Sequence, residues 1–122
     1  MRISFDFDST LSEHTMQRFV DIIISSAKCC DVYIITSRCE GMTNKDLHSI
    51  AKKLGINESN IHFTEGAWKW RIIKKLNIDI HYDDVPEECE LIKLNTSCLP
   101  ILIWDEYCKE SIKHESFGKG IY

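Results

Sequence analysis

The chain has 122 residues, of which 15 are basic and 19 acidic, for a formal net charge of −4 at pH 7. This size predicts a single domain over residues 1–122, and the acidic balance argues against a surface that coats nucleic acid broadly, although a local basic pocket is still allowed. No apolar run approaches the roughly 18–20 residues that span a bilayer, and the chain enters a strand at once, so we expect neither a membrane partner nor a signal peptide.

The first half of the chain alternates between strand and helix patterns. A strand is predicted from the N-terminus to Phe7, and an amphipathic helix over about residues 13–28. The apolar, β-branched run at 31–36 is typical of a strand buried on both faces. A capping-box pattern at 43–46 predicts the start of a second helix, which Gly55 would end.

The second half repeats this alternation. Strands are predicted at 60–64, 78–82 and 99–104, with a third helix opening at residue 65 and a fourth at Pro86. The tail over residues 105–122 has little pattern and is left unassigned. Five strands alternating with helices predict a three-layer, doubly wound, Rossmann-like α/β domain with a mainly parallel sheet.

The six cysteines do not have the spacing of a metal site. No CxxC pattern occurs, and the one adjacent pair, Cys29 and Cys30, is too close in sequence for an ordinary disulfide. Several of the others lie in or beside apolar segments, where free cysteine behaves as a small hydrophobe. We therefore expect reduced cysteines and a cytoplasmic protein.

Polar side chains follow three of the predicted strands. Asp6 and Asp8 lie at the end of the first, where a continuous strand would point both to the same side. Thr36 ends the second strand, and Asp83 and Asp84 follow the fourth. Because ligands of parallel sheets bind at the carboxyl ends of the strands, we expect these groups to meet at one edge. Carboxylates that close together need about two positive charges, and Mg²⁺ is the cation that oxygen ligands favour.

Lys69 begins the apolar stripe of the third predicted helix. Ile72, Ile73 and Leu76 follow it at helical spacing, so Lys69 lies on the inward face, at the helix end nearest the carboxyl edge of the sheet. It is either a lysine that reaches past the core to solvent or a fixed cation that balances the acids and grips an anion.

These residues together resemble the motifs of the haloacid-dehalogenase-like (HAD) phosphatase superfamily. The run from Asp6 to Thr10 is similar to its first motif, Asp-x-Asp-x-Thr, with Ser9 where many members have glycine. A strand ending in Thr36, the helix lysine Lys69 and the acid pair at 83–84 match the other three in order. The resemblance covers residues 1–104 and implies a capless member, because the intervals between the motifs hold only one helix and one strand each.

The resemblance implies a Mg²⁺-dependent phosphomonoester hydrolase. Asp6 would be the nucleophile that forms an aspartyl-phosphate, and Asp8 the general acid that later activates water. Thr36 and Lys69 would hold the transferring oxygens. The metal would be bound by Asp6, the backbone carbonyl of Asp8 and Asp83, with Asp84 close by.

A capless site would admit a bulky phosphorylated substrate, such as a nucleotide, a nucleic-acid end or a phosphoprotein, and a neighbouring subunit could act as a lid. Ser37 and Arg38, in the exit loop of the second strand, are candidate substrate contacts. Arg38 suits a second phosphate, but a solvated loop arginine is an equal alternative. The Thr36-Ser37-Arg38 run is similar to the second motif of polynucleotide kinase-phosphatases, which implies nucleotide substrates.

Two other functions are open to such a scaffold. A phosphorelay receiver domain also sets aspartates, threonine and lysine around Mg²⁺, but its acid pair follows the first strand and its phosphorylated aspartate the third. Here the third predicted strand ends at residues 62–64 without an aspartate. A non-catalytic binding domain is the other alternative, although every expected chemical position is filled.

Overall fold

The computed structural model describes residues 1–26 and 30–103 of the chain. Its strands are β1 (Arg2–Phe5), β2 (Asp31–Thr36), β3 (Ile61–Phe63), β4 (Ile80–Asp83) and β5 (Leu99–Leu102). Its helices are α1 (His14–Ser26), α2 (Lys45–Leu54), α3 (Trp70–Lys75) and α4 (Pro86–Asn95). The unassigned tail, the last predicted residue of the fifth strand and the end of the first predicted helix lie outside the described residues.

The five strands form one sheet in the order β3-β2-β1-β4-β5, and every pairing is parallel. In the centre of the sheet, Phe5 of β1 lies opposite Ile34 of β2 on one side and Tyr82 of β4 on the other. The predicted Rossmann-like α/β fold is confirmed, and the sheet is wholly rather than mainly parallel. Within the described ranges no connection between strands contains a cap.

Helices cover both faces of the sheet. Buried residues of α1 and α2 pack with Ile3 and Phe5 on one face, whereas Ile73 of α3 and Ile92 of α4 pack with Ile35 on the other. Alternation along β1 therefore turns Ser4 toward α3 and α4. This places a hydroxyl on the second face, one residue before the strand ends.

The first strand is shorter than predicted. It ends at Phe5, and the chain then makes one wide turn in which the Leu11 amide donates to the Asp6 carbonyl at 3.2 Å. The expectation that Asp6 and Asp8 share one strand face is therefore wrong. Ser9 lies in this turn with φ +59°, a left-handed conformation that glycine adopts without cost.

The predicted starts of two helices are also wrong. Helix α2 begins at Lys45, with Asn44 rather than Thr43 before it, and Asn44 makes no side-chain capping bond. Helix α3 begins at Trp70 rather than at residue 65. The loop before α3 is instead bonded to the exit of β2, since the amides of residues 64, 65 and 66 donate to the carbonyls of residues 36, 38 and 37.

Two further observations bear on the sequence analysis. No helix in the described part of the chain is long and apolar enough to cross a membrane. The four cysteines in that part, Cys30, Cys39, Cys89 and Cys98, are all free.

Candidate functional site

The site lies where the chain changes direction across the sheet. Strand β1 has β2 on one side and β4 on the other, because the chain runs from β1 through β2 to β3 and then crosses back past β1 to β4. Ligands of such sheets bind at this point, outside the carboxyl ends of the strands. Asp6 directly follows β1 and its amide donates to the Tyr82 carbonyl at 2.9 Å, while Asp83 ends β4. The strand order thus brings two carboxylates that are far apart in sequence side by side.

Lys69 lies between these two carboxylates. Its ammonium Nζ is 2.8 Å from Asp6 Oδ1 and 2.8 Å from Asp83 Oδ2, and the lysine is only 2% exposed. Its backbone amide donates to Glu88 Oε1, at 3.0 Å, which fixes the chain just before α3. The alternative of a lysine that reaches past the core to solvent is therefore wrong.

Burial makes the charges at this point strongly interdependent. Burial raises the pKa of Asp6 to about 8, the charge of Asp83 adds to this effect, and the charge of Lys69 opposes it. The pKa of Asp83 is lowered, because a hydrogen bond from His81 and the charge of Lys69 outweigh its burial. The pKa of Lys69 is raised since the two carboxylates outweigh the effect of its own burial. Near neutral pH the charged pair is thus Lys69 with Asp83, and Asp6 holds a proton unless a cation displaces it.

Asp84 completes a group of three carboxylates. One oxygen from each of Asp6, Asp83 and Asp84 lies within 4.8 Å of the others. An octahedral Mg²⁺ holds its ligands at about 2.1 Å, so oxygens on opposite sides of it are about 4.2 Å apart, close to the 4.8 Å that bounds the separations here. Asp84 is half-buried, and its Oδ1 accepts a hydrogen bond from the Thr10 hydroxyl at 3.3 Å. An all-oxygen, acidic donor set of this kind suits a hard divalent cation.

Asp8 lies apart from this group of three. Its carboxylate, 56% exposed, accepts two hydrogen bonds from Arg38, at 2.7 Å from Nη2 and 3.0 Å from Nε. The same guanidinium binds Asp46 of α2 at 2.7 and 2.9 Å and lies over the Phe7 ring at 4.9 Å. The pKa of Asp46 falls to about 2, chiefly through its hydrogen bonds to Arg38. Arg38 is therefore a half-buried bridge between the turn after β1 and α2, not a solvated loop arginine.

Thr36 and Ser37 differ in their surroundings. Thr36 is fully buried at the end of β2, where its Oγ1 accepts a hydrogen bond from the Arg38 amide at 3.2 Å. Because an amide only donates, the proton of the Thr36 hydroxyl can be given to another acceptor. Ser37 is exposed, and its carbonyl accepts from the Gly66 amide.

Four residues around the site did not follow from the sequence. Asp46 and Glu88 bind the predicted residues Arg38 and Lys69 directly. His81 and Ser4 form a buried chain of hydrogen bonds that ends on Asp83. One signal was present for His81, since it lies two residues before Asp83 in a strand and so faces the same side.

Comparison of the sequence with protein-family models found no match, and comparison with curated proteins found no significant relative.

Proposed function

We propose that this protein is a Mg²⁺-dependent phosphomonoester hydrolase in which Asp6 forms an aspartyl-phosphate intermediate. The observation that carries the proposal is Lys69, buried and bonded to both Asp6 and Asp83 at 2.8 Å, beside the third carboxylate of Asp84. One ammonium does not balance the three carboxylates when all are ionised, and the cost of a buried, uncompensated charge keeps Asp6 protonated until a cation is bound. The group is therefore suited to a divalent cation and, with it, to an anionic substrate.

Asp6, Asp83 and Asp84 are the residues that would hold Mg²⁺. Bound there, the ion would supply positive charge against the phosphoryl oxygens, which phosphoryl transfer requires because charge spreads over those oxygens in the transition state. The same charge would favour the ionised form of Asp6, the form that attacks phosphorus.

Each of the other residues has a role in this reaction. Lys69 fixes the Asp6 carboxylate through Oδ1 and adds a positive charge at the point of attack. The attack forms a bond from an Asp6 oxygen to phosphorus and breaks the bond from phosphorus to the leaving oxygen. Thr36, buried at the end of β2, would donate its hydroxyl proton to a phosphoryl oxygen. In the second step Asp8 would take a proton from water as the water oxygen bonds to phosphorus and the bond from phosphorus to the Asp6 oxygen breaks, which restores the Asp6 carboxylate and releases inorganic phosphate.

Asp8 would protonate the leaving oxygen, and its contact with Arg38 bears on this role. Arg38 occupies both oxygens of the Asp8 carboxylate, so Asp8 can reach a leaving oxygen only after that contact loosens. A phosphate dianion entering the site offers Arg38 an alternative partner, while Asp46 keeps the guanidinium in place through its two bonds. Substrate binding and the release of Asp8 are then one event.

The substrate class we propose is an accessible phosphate, such as that of a nucleotide or a nucleic-acid end. Asp8 is more than half exposed, and the described ranges contain no cap above the carboxyl edge of the sheet. An open site of this kind can admit a bulky phosphorylated group.

Hydrolysis of p-nitrophenyl phosphate with and without EDTA is the direct test. We expect turnover that requires Mg²⁺ and is abolished in Asp6→Asn. Asp31→Asn is the matched control, because Asp31 is an exposed aspartate at the opposite end of the sheet. Undiminished turnover by Asp6→Asn would contradict the mechanism. A panel of nucleotides, 3′- and 5′-phosphorylated oligonucleotides and sugar phosphates would then identify the substrate.

A further inference from the structure

A buried chain of hydrogen bonds reaches Asp83 from inside the sheet. The Ser4 Oγ is 2.6 Å from His81 Nδ1, and His81 Nε2 is 2.8 Å from Asp83 Oδ2. All three residues have no exposed surface. Ser4 belongs to β1 and the other two to β4, so the chain crosses between the two strands that meet at the site.

The contacts of this chain assign the proton positions. A carboxylate oxygen only accepts, so His81 Nε2 must carry a proton and donate it. In the neutral ring the other nitrogen, Nδ1, then carries no proton and accepts from the Ser4 hydroxyl at 2.6 Å. Ser4 therefore selects one of the two tautomers of the ring.

These bonds nearly saturate the Asp83 carboxylate. Oδ2 accepts from both His81 Nε2 and Lys69 Nζ at 2.8 Å, and Oδ1 accepts from the Val85 amide at 3.1 Å. An ionised carboxylate has about four lone-pair sites, so one remains, and it belongs to Oδ1. Donors from three directions fix the plane of the carboxylate and the direction of that site.

Stability alone does not account for a histidine at this position. Burying an imidazole and a hydroxyl removes both from water, and their mutual hydrogen bond returns only about 1 kcal/mol. An apolar cluster that includes Ile73 and Ile92 covers the same face, and replacing a buried polar pair by an apolar pair of the same shape is often neutral or stabilising. The contact that an apolar pair could not supply is the one to Asp83.

We propose that His81, held in its Nε2-protonated tautomer by Ser4, is a positioning residue that orients Asp83 to bind a divalent cation through Oδ1 alone. This inference rests on the proposed function only in taking Asp83 as a metal ligand. Removing a residue that hydrogen-bonds to a metal ligand and orients it typically lowers metal affinity about 10–100-fold.

The test measures Mg²⁺ affinity by calorimetry, without substrate, in His81→Phe, His81→Gln and Ser4→Ala. His81→Phe keeps the ring volume and removes the donor, so we expect affinity to fall about 10–100-fold. Glutamine can place an amide N–H where Nε2 lies, so His81→Gln should retain affinity within a few-fold of the wild type. Ser4→Ala allows the ring to adopt the other tautomer, so its Mg²⁺ affinity should lie between those of His81→Phe and His81→Gln.

Unchanged Mg²⁺ affinity in a folded His81→Phe protein would overturn the inference. Urea unfolding shows whether the variants fold, and if His81→Phe does not, the ring nitrogens of the wild type are observed by NMR instead. A ring protonated at Nε2 and not at Nδ1 supports the assignment, and any other state overturns it. A wild-type protein that binds no Mg²⁺ is a separate result, because it removes the proposed metal site itself rather than the role of His81.

Discussion

The proton on Asp6 makes a quantitative prediction about Mg²⁺ binding. With a pKa of about 8, raised first by burial and then by the charge of Asp83, Asp6 is protonated in the metal-free protein at neutral pH. A carboxyl group must lose its proton to bind a cation, so binding releases that proton. The apparent affinity for Mg²⁺ should therefore rise with pH and level off above pH 8.

The size of this effect follows from the position of the pKa. Below pH 8 the apparent dissociation constant should change about tenfold per pH unit, so at pH 6 binding should be about 100-fold weaker than its limit at high pH. This corresponds to about 2.7 kcal/mol, at about 1.36 kcal/mol for each pH unit. The direction of the pH dependence follows from the raised pKa of Asp6. At low pH the proton on Asp6 stabilises the metal-free protein and weakens Mg²⁺ binding, and this proton is lost as pH rises through 8.

Titration calorimetry in two buffers with different ionisation enthalpies measures both the Mg²⁺ affinity and the number of protons released on binding. We expect about one proton released per Mg²⁺ at pH 6–7 and none well above pH 8. Asp6→Asn should bind more weakly and without this pH dependence. Glu88→Gln is the matched control, because Glu88 is also buried with a raised pKa but lies outside the group of three carboxylates. Equal wild-type affinity at pH 6 and pH 8, or the full pH dependence in Asp6→Asn, would refute the reasoning.

Three further predictions concern the site and the fold. Lys69→Met should lower the free energy of unfolding by about 3–5 kcal/mol at pH 7, because Asp83 is then buried without its cation. Urea titration measures this loss, and a value below about 1 kcal/mol would contradict the account. Asp8→Asn should release one equivalent of nitrophenol from p-nitrophenyl phosphate in a burst and then turn over slowly, because hydrolysis of the aspartyl-phosphate lacks its base. Linear release of nitrophenol at the wild-type rate would exclude Asp8 from both steps. Gly55→Ala should lower the free energy of unfolding by about 1 kcal/mol, because Gly55 has a φ of +79° after α2 although a new Cβ would meet no atom within 4 Å. Gly41→Ala is the matched control: its new Cβ is equally uncrowded, so the urea midpoint should shift little.

Local patterns were sufficient to predict the layers of the fold. Apolar runs of strand length, separated by stretches of helical periodicity, predict a parallel sheet covered on both sides, and β2 spans the residues predicted for it, 31–36. The same patterns were weaker at the ends of elements. At Phe5 the strand stops early because the next residues form a wide turn, and that turn separates Asp8 from Asp6.

The meeting of Asp6, Lys69 and Asp83 was also accessible from the sequence. Parallel strands end at one edge, and helical spacing places a lysine at the inward end of α3. Whether these groups touch is a matter of strand order, because β1 and β4 become neighbours only in the folded sheet.

Contacts between distant residues were decided by the tertiary structure alone. Ser4 meets His81, and Thr10 meets Asp84, across 77 and 74 residues of chain, and neither pair belongs to a local pattern. The physical reason is that periodicity and turn residues determine which way a side chain faces, whereas its partner depends on strand order and register. The sequence by itself therefore determined which acids and which cation could form the site, and only the folded sheet decided which hydrogen bonds hold Asp83 and which guanidinium holds Asp8.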